Sequence, residues 1–367
     1  MKVAKTKWKQ NIMSDCIKTV KVKDAVQKKD YQRYGQYPII SQEKDFISGY
    51  CDSIENLNSI GEVVIFGDHT RVLKFVDFDF CVGADGVKVI RPNSDINTKY
   101  LFHFLKWVDI PSNGYSRHFK FLKELNISYP SLSIQQAITS ELDAIQTMID
   151  GYKAQLEDLD ALAQSIFLDM FGDPVSNPKG WEKGSLNKYA SIGTGATPSR
   201  KIVSYYEGDI PWVKSTEVHN SYIWETQEHI TKEAIDNSNC SIYLPDTILV
   251  AMYGQGKTRG QVGLLRIKAA TNQACAAIQC KDSLNPTFCY WHFQMCYEAN
   301  RELGNGTNQK NMNLTIVGNI KFIIPPLSLQ QEFAFKIESI EKQKELICKQ
   351  LEDAKTLMAE RMQYYFS

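Results

Sequence analysis

The sequence lacks the features that mark membrane proteins and secreted disulfide scaffolds. It has no run of about 18 apolar residues, the length that a membrane-spanning helix needs. Its Lys-rich N-terminus lacks the apolar core of a signal peptide. The nine cysteines, an odd number, include no CxxC pair and no suitably spaced histidine, so neither a disulfide framework nor a zinc site is expected. We therefore expect a protein of the reducing cytoplasm that does not enter a membrane.

The sequence also lacks the common signatures of catalysis. The Asp/Asn-Pro-Pro-Tyr/Phe motif of methyltransferases is missing, since NPTF at 285–288 departs at its third position. No pair of carboxylates with a nearby lysine suggests a nuclease, and no elbow-type motif places a Ser, His and Asp set. We expect a non-catalytic chain.

One segment offers an enzymatic alternative. Residues 251–258 read AMYGQGKT after a strand-like run, and they end like a phosphate-binding loop. That motif requires glycine where Ala251 stands, and it requires a helix afterwards, whereas 260–265 resembles a turn into another strand. A hydrolase that uses Lys257 and Thr258 is the alternative hypothesis.

Charge is unevenly distributed although the formal net charge is zero. Residues 1–125 contain 20 Lys and Arg against 15 Asp and Glu, and residues 175–325 contain 15 against 12. Residues 126–174 contain 1 against 8, and residues 326–367 contain 6 against 7. The pattern predicts two basic globular segments that are separated by acidic ones, a division that a neutral total conceals.

The two acidic segments are copies of one another. Residues 130–171 and 325–366 align without a gap, and both read Pro, then LS, QQ, a later QLED and a final Phe. Apolar residues recur at alternating steps of three and four, which predicts two long amphipathic helices, each roughly 50 Å long. Lys344 and Arg361 interrupt this pattern in the second copy. The predicted packing residues are Ile138, Leu142, Ile145, Ile149, Leu156, Leu159, Ile337, Ile340, Ile347 and Leu351.

The globular segments repeat more faintly. IPWVK at 210–214 matches YPIIS at 37–41, and the Thr-Arg dipeptide at 70–71 recurs at 258–259. We predict an α+β protein with an internal pseudo-repeat, in which two mixed α/β domains are separated by two long antiparallel coiled-coil-like helices. The predicted domains are 1–125 and 175–318, and the predicted helical segments are 126–174 and 319–367.

Polar turns at matching places in the two halves are the candidate binding residues. Their Arg, Lys, His, Asn and Gln side chains can donate to guanine, pair with adenine or hold a phosphate. The alternative is that they only carry surface charge. The candidates for contact with DNA are His69, Thr70, Arg71, Ser116, Arg117, His118, Lys120, Lys257, Thr258, Arg259, Asn308, Gln309 and Lys310.

Taken in order, these motifs resemble the specificity subunit of type I restriction–modification systems. The resemblance covers essentially the whole chain. It is carried by the two proline entries with LS and QQ at 130–136 and 325–331, by MFGDP at 170–174 with NPKGW at 177–181, and by ATNQAC at 270–275 with GTNQ at 306–309.

The resemblance implies a DNA-reading function without catalysis. Each of two target-recognition domains would read one half of a split target in double-stranded DNA, and the helices would set the spacing and dock two methyltransferase subunits. The chain itself would hold no cofactor or metal, because S-adenosylmethionine, ATP and Mg²⁺ would be bound by the methyltransferase and the restriction/translocase subunits. The alternatives are a specificity subunit of another restriction–modification class, and a coiled-coil adaptor that binds no DNA.

Overall fold

The first half of the chain holds ten strands and four helices in the computed structural model, which describes residues 8–84, 86–112, 114, 116–254, 258–303 and 311–367. The strands are β1 (Lys9–Ile12), β2 (Ile17–Thr19), β3 (Tyr37–Ile40), β4 (Gly49–Cys51), β5 (Leu57–Asn58), β6 (Val63–Gly67), β7 (Leu73–Val76), β8 (Phe80–Val82), β9 (Val87–Pro92) and β10 (Asn126–Tyr129). The helices are α1 (Met13–Cys16), α2 (Thr98–Trp107), α3 (Phe119–Lys123) and α4 (Leu132–Phe171).

The second half repeats this order with one additional strand and two additional short helices. The strands are β11 (Lys183–Ser185), β12 (Ala190–Thr194), β13 (Ile210–Val213), β14 (Ser221–Ile223), β15 (Glu228–Ile230), β16 (Ile242–Tyr243), β17 (Ile248–Ala251), β18 (Val262–Leu265), β19 (Ala269–Thr271), β20 (Cys275–Cys280) and β21 (Lys321–Ile323). The helices are α5 (Leu186–Tyr189), α6 (Lys232–Asp236), α7 (Pro286–Met295), α8 (Tyr297–Arg301), α9 (Leu314–Asn319) and α10 (Leu327–Phe366).

The chain divides into two compact units, and each contains a piece of both long helices. The first unit comprises Met1–Ala154 and Cys348–Ser367. Its sheets have the strand orders β2-β9-β6-β7 and β4-β3-β8-β5, and β1 pairs with β10. Strands β3 and β8 run parallel, while the other pairs in these sheets are antiparallel.

The second unit, Gln155–Ile347, repeats these sheets. Its strand orders are β12-β20-β17-β18-β14 and β15-β13-β19-β16, and β11 pairs with β21. Strand by strand this is the topology of the first unit, with β14 added at one edge. The predicted α+β class and the internal repeat are confirmed. The four predicted domain boundaries stay a prediction.

An aromatic helix links the sheet to the long helix in each unit. Asn97 caps the N-terminus of α2 by accepting from the N–H of Tyr100 at 3.0 Å, and Asn285 caps α7 in the same way at 3.1 Å. In the first unit, Tyr100 and its neighbours on α2 pack in one core with Phe66 of the sheet and Leu142 of α4. Residues 98–108, which are rich in aromatics, predict a helix, and α2 forms there and contributes several side chains to this core.

The two long helices occupy equivalent positions, 195 residues apart. Helix α4 ends where Gly172 adopts a φ of +76° and its N–H donates to Leu168 O at 2.8 Å, the usual glycine end signal. In the first unit Arg361 Nε lies 2.5 Å from Glu141 Oε1, and in the second Lys344 Nζ lies 2.8 Å from Asp160 Oδ1. Each contact joins an early part of one helix to a late part of the other, as in antiparallel helices.

The predicted packing residues lie on the inner faces of these helices. Lys344 and Arg361, which interrupt the apolar pattern, pair with carboxylates of α4 instead. Three of the packing residues, Leu156, Leu159 and Ile347, are half-buried. The others are buried, namely Ile138, Leu142, Ile145, Ile149, Ile337, Ile340 and Leu351.

Candidate nucleic-acid interface

Two of the predicted polar turns meet at Asp68 in the first unit. Its carbonyl accepts the N–H of His118 at 2.8 Å, and its Oδ1 accepts the N–H of Phe119 at 2.8 Å. Its own N–H donates to Gly86 O at 2.6 Å. The turn after β6, the turn before β9 and the start of α3 therefore converge on one buried aspartate. The turn was predicted, but Asp68 was not. No local sequence pattern indicates that this aspartate is buried while Thr70, two residues later, is exposed.

The second turn presents some of its candidates and buries one. Arg117 and Lys120 are exposed, and Ser116 is half-buried. His118 is only 1% exposed, and its Nδ1 lies 3.0 Å from Asp68 O. The expectation that His118 contacts DNA is therefore revised, because a side chain inside the core cannot reach the DNA surface. His118 holds the two turns together.

Thr70 and His69 contact a segment that sequence reasoning did not connect to them. Thr70 Oγ1 donates to Gln42 O at 2.7 Å, and Gln42 Oε1 accepts the N–H of His69 at 3.2 Å. Thr70 is exposed, whereas His69 and Gln42 are half-buried. Gln42 thus belongs to the same surface, although it lies 27 residues earlier in the chain.

Arg71 and Arg259 make the same kind of contact in the two units. Arg71 Nη1 donates to Ile110 O, beyond the end of α2, at 2.6 Å. Arg259 Nη2 donates to Arg301 O, at the end of α8, at 3.3 Å. Both guanidiniums tie the turn to the segment that follows the aromatic helix. A guanidinium has five donors, so this contact leaves donors for a phosphate.

The turn after β6 and the turn after β17 align in the structure with a shift of one residue from the sequence alignment. The N–H of Arg71 donates to Gly67 O at 2.8 Å, and the N–H of Gly260 donates to Ala251 O at 2.9 Å. Both donors have positive φ, +59° and +83°. Since a left-handed residue closes both turns, the structural counterpart of Arg71 is Gly260 and not Arg259.

The second pair of turns is also displaced from the predicted alignment. The N–H of His118 donates to Asp68 O, and the N–H of Met312 donates to Met252 O at 3.0 Å. Met312 is thus the counterpart of His118, whereas alignment of residues 114–118 with 306–310 predicts Lys310 at that place. Four candidates, Lys257, Asn308, Gln309 and Lys310, lie outside the described residues. Thr258, the remaining candidate, is half-buried.

Helix α3 adds positive charge beside the first turn. Lys120 Nζ lies 4.7 Å from the ring centroid of Phe121, and Lys123 Nζ lies 4.9 Å from that of Phe119. Lys88 Nζ lies 5.9 Å from the Phe119 ring. Lys88 and Lys123 were not predicted, and only their proximity in the fold identifies them.

The segment that ends in Gly-Lys-Thr does not have the architecture of a phosphate-binding loop. Strand β17 precedes it, and β18 follows and pairs antiparallel with β17. The motif requires a helix at that place, whose N-terminus would face the phosphates. The predicted turn into a strand is what the structure contains.

The described part of the chain has no group of three or more His, Cys, Asp or Glu side chains placed to hold a metal ion. No helix within those residues is long and apolar enough to cross a membrane.

The chain matches a known protein family over most of its length. The model of the type I restriction modification DNA specificity domain matches the chain twice, at residues 7–160 and 178–355. The chain is 24% identical over 279 residues to the EcoR124I/EcoR124II specificity subunit of Escherichia coli, and the match covers 69% of this chain and 66% of that subunit. It is 23% identical over 306 residues to the MjaIX specificity subunit of Methanocaldococcus jannaschii, covering 73% and 69%. The chain thus spans about two thirds of the length of these relatives.

Solved structures share the fold. A type I restriction–modification S subunit from M. genitalium superposes with a TM-score of 0.67 at 14% identity, covering 98% of this chain and 96% of that one. A chain from a study of complex assembly and conformational transition of the type I system gives a TM-score of 0.53 at 12% identity, covering 97% and 96%. With two copies of the domain, two long helices and this likeness in fold, the chain belongs to the type I restriction–modification DNA specificity family.

Proposed function

We propose that each unit reads one half of a bipartite target in double-stranded DNA. The main support for this proposal is that separate turns meet at one place in each unit. Asp68 accepts hydrogen bonds from His118 and Phe119 in the first unit, and Met252 O accepts the N–H of Met312 in the second. Backbone-fixed turns that present Thr, Arg and Lys provide both phosphate contacts and donors for base edges. The turns are kept while their side chains differ, as two readers of different half-sites require.

We propose that α4 and α10 determine the number of base pairs between the half-sites. A helix rises 1.5 Å per residue, so one inserted heptad adds about 10 Å. Inserting one heptad into both helices should lengthen the preferred spacer and leave both half-sites unchanged. Altered half-sites with an unchanged spacer would contradict this role.

The helices are also the proposed docking surface for two methyltransferase subunits. Phe335 on α10 is 72% exposed, and Met148 on α4 is 47% exposed. Of the large apolar side chains on the two long helices, that of Phe335 is the most exposed, so it is the residue at which the proposal is tested. The proposal leaves S-adenosylmethionine, ATP and Mg²⁺ to the methyltransferase and restriction/translocase subunits. Phe335→Ser should weaken co-purification with the methyltransferase and leave the DNA affinity of the chain unchanged.

Salt dependence distinguishes DNA reading from an adaptor function. Binding to duplex DNA releases counterions, so the logarithm of the affinity should fall steeply and linearly with the logarithm of salt concentration. An adaptor that uses apolar contacts should show no such slope and no preference among duplexes. Titration of the full chain with its bipartite duplex and with a scrambled duplex, at several salt concentrations, measures both.

A further inference from the structure

The segment that follows β3, residues 41–48, packs against the proposed reading surface of the first unit. Gln42 contacts both His69 and Thr70 through the hydrogen bonds described above. Gly86, with a φ of +74°, lies between them, and a Cβ added there would be 2.8 Å from Gln42 Nε2 and 2.8 Å from His69 Cδ2. Gly86 thus lies close to both side chains, and the segment and the turn pack side by side.

A buried lysine holds this segment in place. Lys74 of β7 is only 3% exposed, and its Nζ donates to Asp45 O at 2.5 Å and to Phe46 O at 3.2 Å. Burial lowers the pKa of Lys74. An ammonium group is costly to bury, and carbonyl oxygens compensate that cost only while the segment stays in this position. An apolar residue on this strand would pack without that cost, so the lysine serves the segment and not the core.

The second unit fixes the equivalent segment by a different contact. Ile65 pairs with Lys74 in the first unit, and Leu249 pairs with Gly263 at the corresponding place in the second. Instead of a lysine contact, the segment after β13 supplies β14, whose Ser221 pairs with Gly263. A Cβ added to Gly263 would lie 2.6 Å from Ile223 Cδ1.

An asparagine at the start of that strand completes the contact. Asn220 has a φ of +54°, and its Oδ1 accepts the N–H of Val262 at 2.9 Å. The first unit thus uses an ammonium group, and the second uses a β-strand with an asparagine, to hold the same segment against the same strand. Two unrelated contacts with one result indicate that the position of the segment matters in both units.

We propose that the segments after β3 and β13 are further specificity-determining elements, each contacting its DNA half-site beside the reading turn. Lys74 and Asn220 are the positioning residues, and the exposed Lys44 is the residue in the first segment that can donate to a guanine edge as well as to a phosphate. The inference rests on the proposed DNA-reading function. It extends the reading surface of each unit to a segment that precedes the turn by more than 20 residues.

The test uses the full chain and three duplexes: the intact bipartite site, and the same site with either half scrambled. Lys74→Met keeps the length of the side chain and removes the ammonium group, and Lys18→Met on β2 is the matched control from the opposite edge of the same sheet. Asn220→Gly keeps the positive φ accessible and removes the Oδ1 acceptor in the second unit. Unfolding temperature is measured for every variant.

We expect Lys74→Met to reduce discrimination at one half-site by about tenfold, the size of one lost specific contact, and to leave discrimination at the other unchanged. Asn220→Gly should have the reverse pattern, and Lys18→Met should have neither effect. Unchanged discrimination in both positioning variants would overturn the inference, as would equal loss at both half-sites with an unchanged unfolding temperature.

Two further outcomes are decisive. If Lys74→Met does not fold, Lys44→Ala takes its place, and an unchanged affinity for the intact site in that exposed variant would overturn the inference. If the unmodified chain does not discriminate between intact and scrambled duplexes, the proposed function fails instead.

Discussion

The side-chain carbonyl of Gln135 accepts the backbone N–H of Asn97 at 2.7 Å, and Gln330 accepts that of Asn285 at 2.9 Å. The first glutamine of each QQ pair is fully buried and joins the start of the long helix to the N-terminus of the aromatic helix. Gln135 Nε2 also donates to Pro130 O at 2.8 Å. The repeated glutamine at the start of each long helix thus joins that helix to the aromatic helix by a hydrogen bond.

Gln135→Leu should destabilise the first unit substantially. The N–H of Asn97 and the carbonyls of Pro130 and Asp95 would lose their partner inside the protein, and each unsatisfied buried group costs about 1–3 kcal/mol. Gln136→Leu is the matched control, because the second glutamine of the pair is exposed. Denaturant unfolding compares the two variants, and equal stability would contradict the assigned role.

Arg71→Ala should lower both stability and DNA affinity. The guanidinium fixes the turn to Ile110 O at 2.6 Å, and a net loss of about 1.5–3 kcal/mol is typical for a hydrogen bond to a charged group. Arg71→Lys should recover little of the stability or the DNA affinity, since an ammonium group cannot reproduce the planar set of guanidinium donors. Thermal unfolding and duplex titration of the three proteins measure this. An Arg71→Ala protein with unchanged stability would show that the bond to Ile110 is dispensable.

Arg117→Ala should weaken DNA binding without affecting stability. This arginine is exposed on the proposed reading surface, and the loss of one phosphate contact there should reduce the salt slope by about 1. Lys355→Ala removes the same charge from the exposed surface of α10 and serves as the control. A salt slope that is unchanged in Arg117→Ala, or reduced equally in the control, would argue against a contact at Arg117.

His292 should make the second unit sensitive to acid. Burial lowers its pKa to about 3, and its Nε2 accepts the N–H of Ile323 at 3.2 Å, so the folded protein holds a neutral ring. The unfolded chain takes up a proton near pH 6.5, so stability is lost as pH falls below that value, by about 2 kcal/mol between pH 6.5 and pH 5.

Phe104 occupies the place in α2 that His292 occupies in α7, so His292→Phe introduces a side chain that this position accepts in the other unit. The variant should lose the acid sensitivity. At pH 8 the variant should be less stable by about 1–3 kcal/mol, because the N–H of Ile323 loses its acceptor. That difference should shrink as pH falls toward 5. The exposed His229→Phe is the control, and parallel stability curves for the wild type and His292→Phe would contradict the assignment.

Periodicity and repetition predicted the long elements, because they depend on local pattern. Helices α4 and α10 lie within two residues of the predicted 130–171 and 325–366. The apolar run YPIIS at 37–41 also predicts a short strand, and β3 covers all but its last residue. The alternating pattern at 75–80 predicts one strand, whereas the structure has two, since β7 ends at Val76 and β8 starts at Phe80. Both pieces are short and apolar, and a turn of Asp and Phe residues between them gives no Gly or Pro signal.

The candidate surface was harder to predict because it is assembled from distant segments. Sequence alignment placed Arg71 opposite Arg259, but turn closure by a left-handed residue places it opposite Gly260. In the sequence Lys74 has no feature that separates it from other strand residues. Its contact with Asp45 O, 29 residues earlier, exists only in the folded protein. Contacts of this kind depend on tertiary packing, which local propensity does not encode.

The central claim is best tested by mapping adenine methylation across a genome in cells that express the partner methyltransferase with this chain, without it, or with Arg117→Ala. We expect a bipartite motif that is absent without the chain and that is methylated less completely, with both half-sites unchanged, in the variant, because a lost phosphate contact weakens binding without changing the sequence that is read. A methylation pattern that is identical in all three cells, although the chain is expressed and the methyltransferase is active, would contradict DNA reading by this protein.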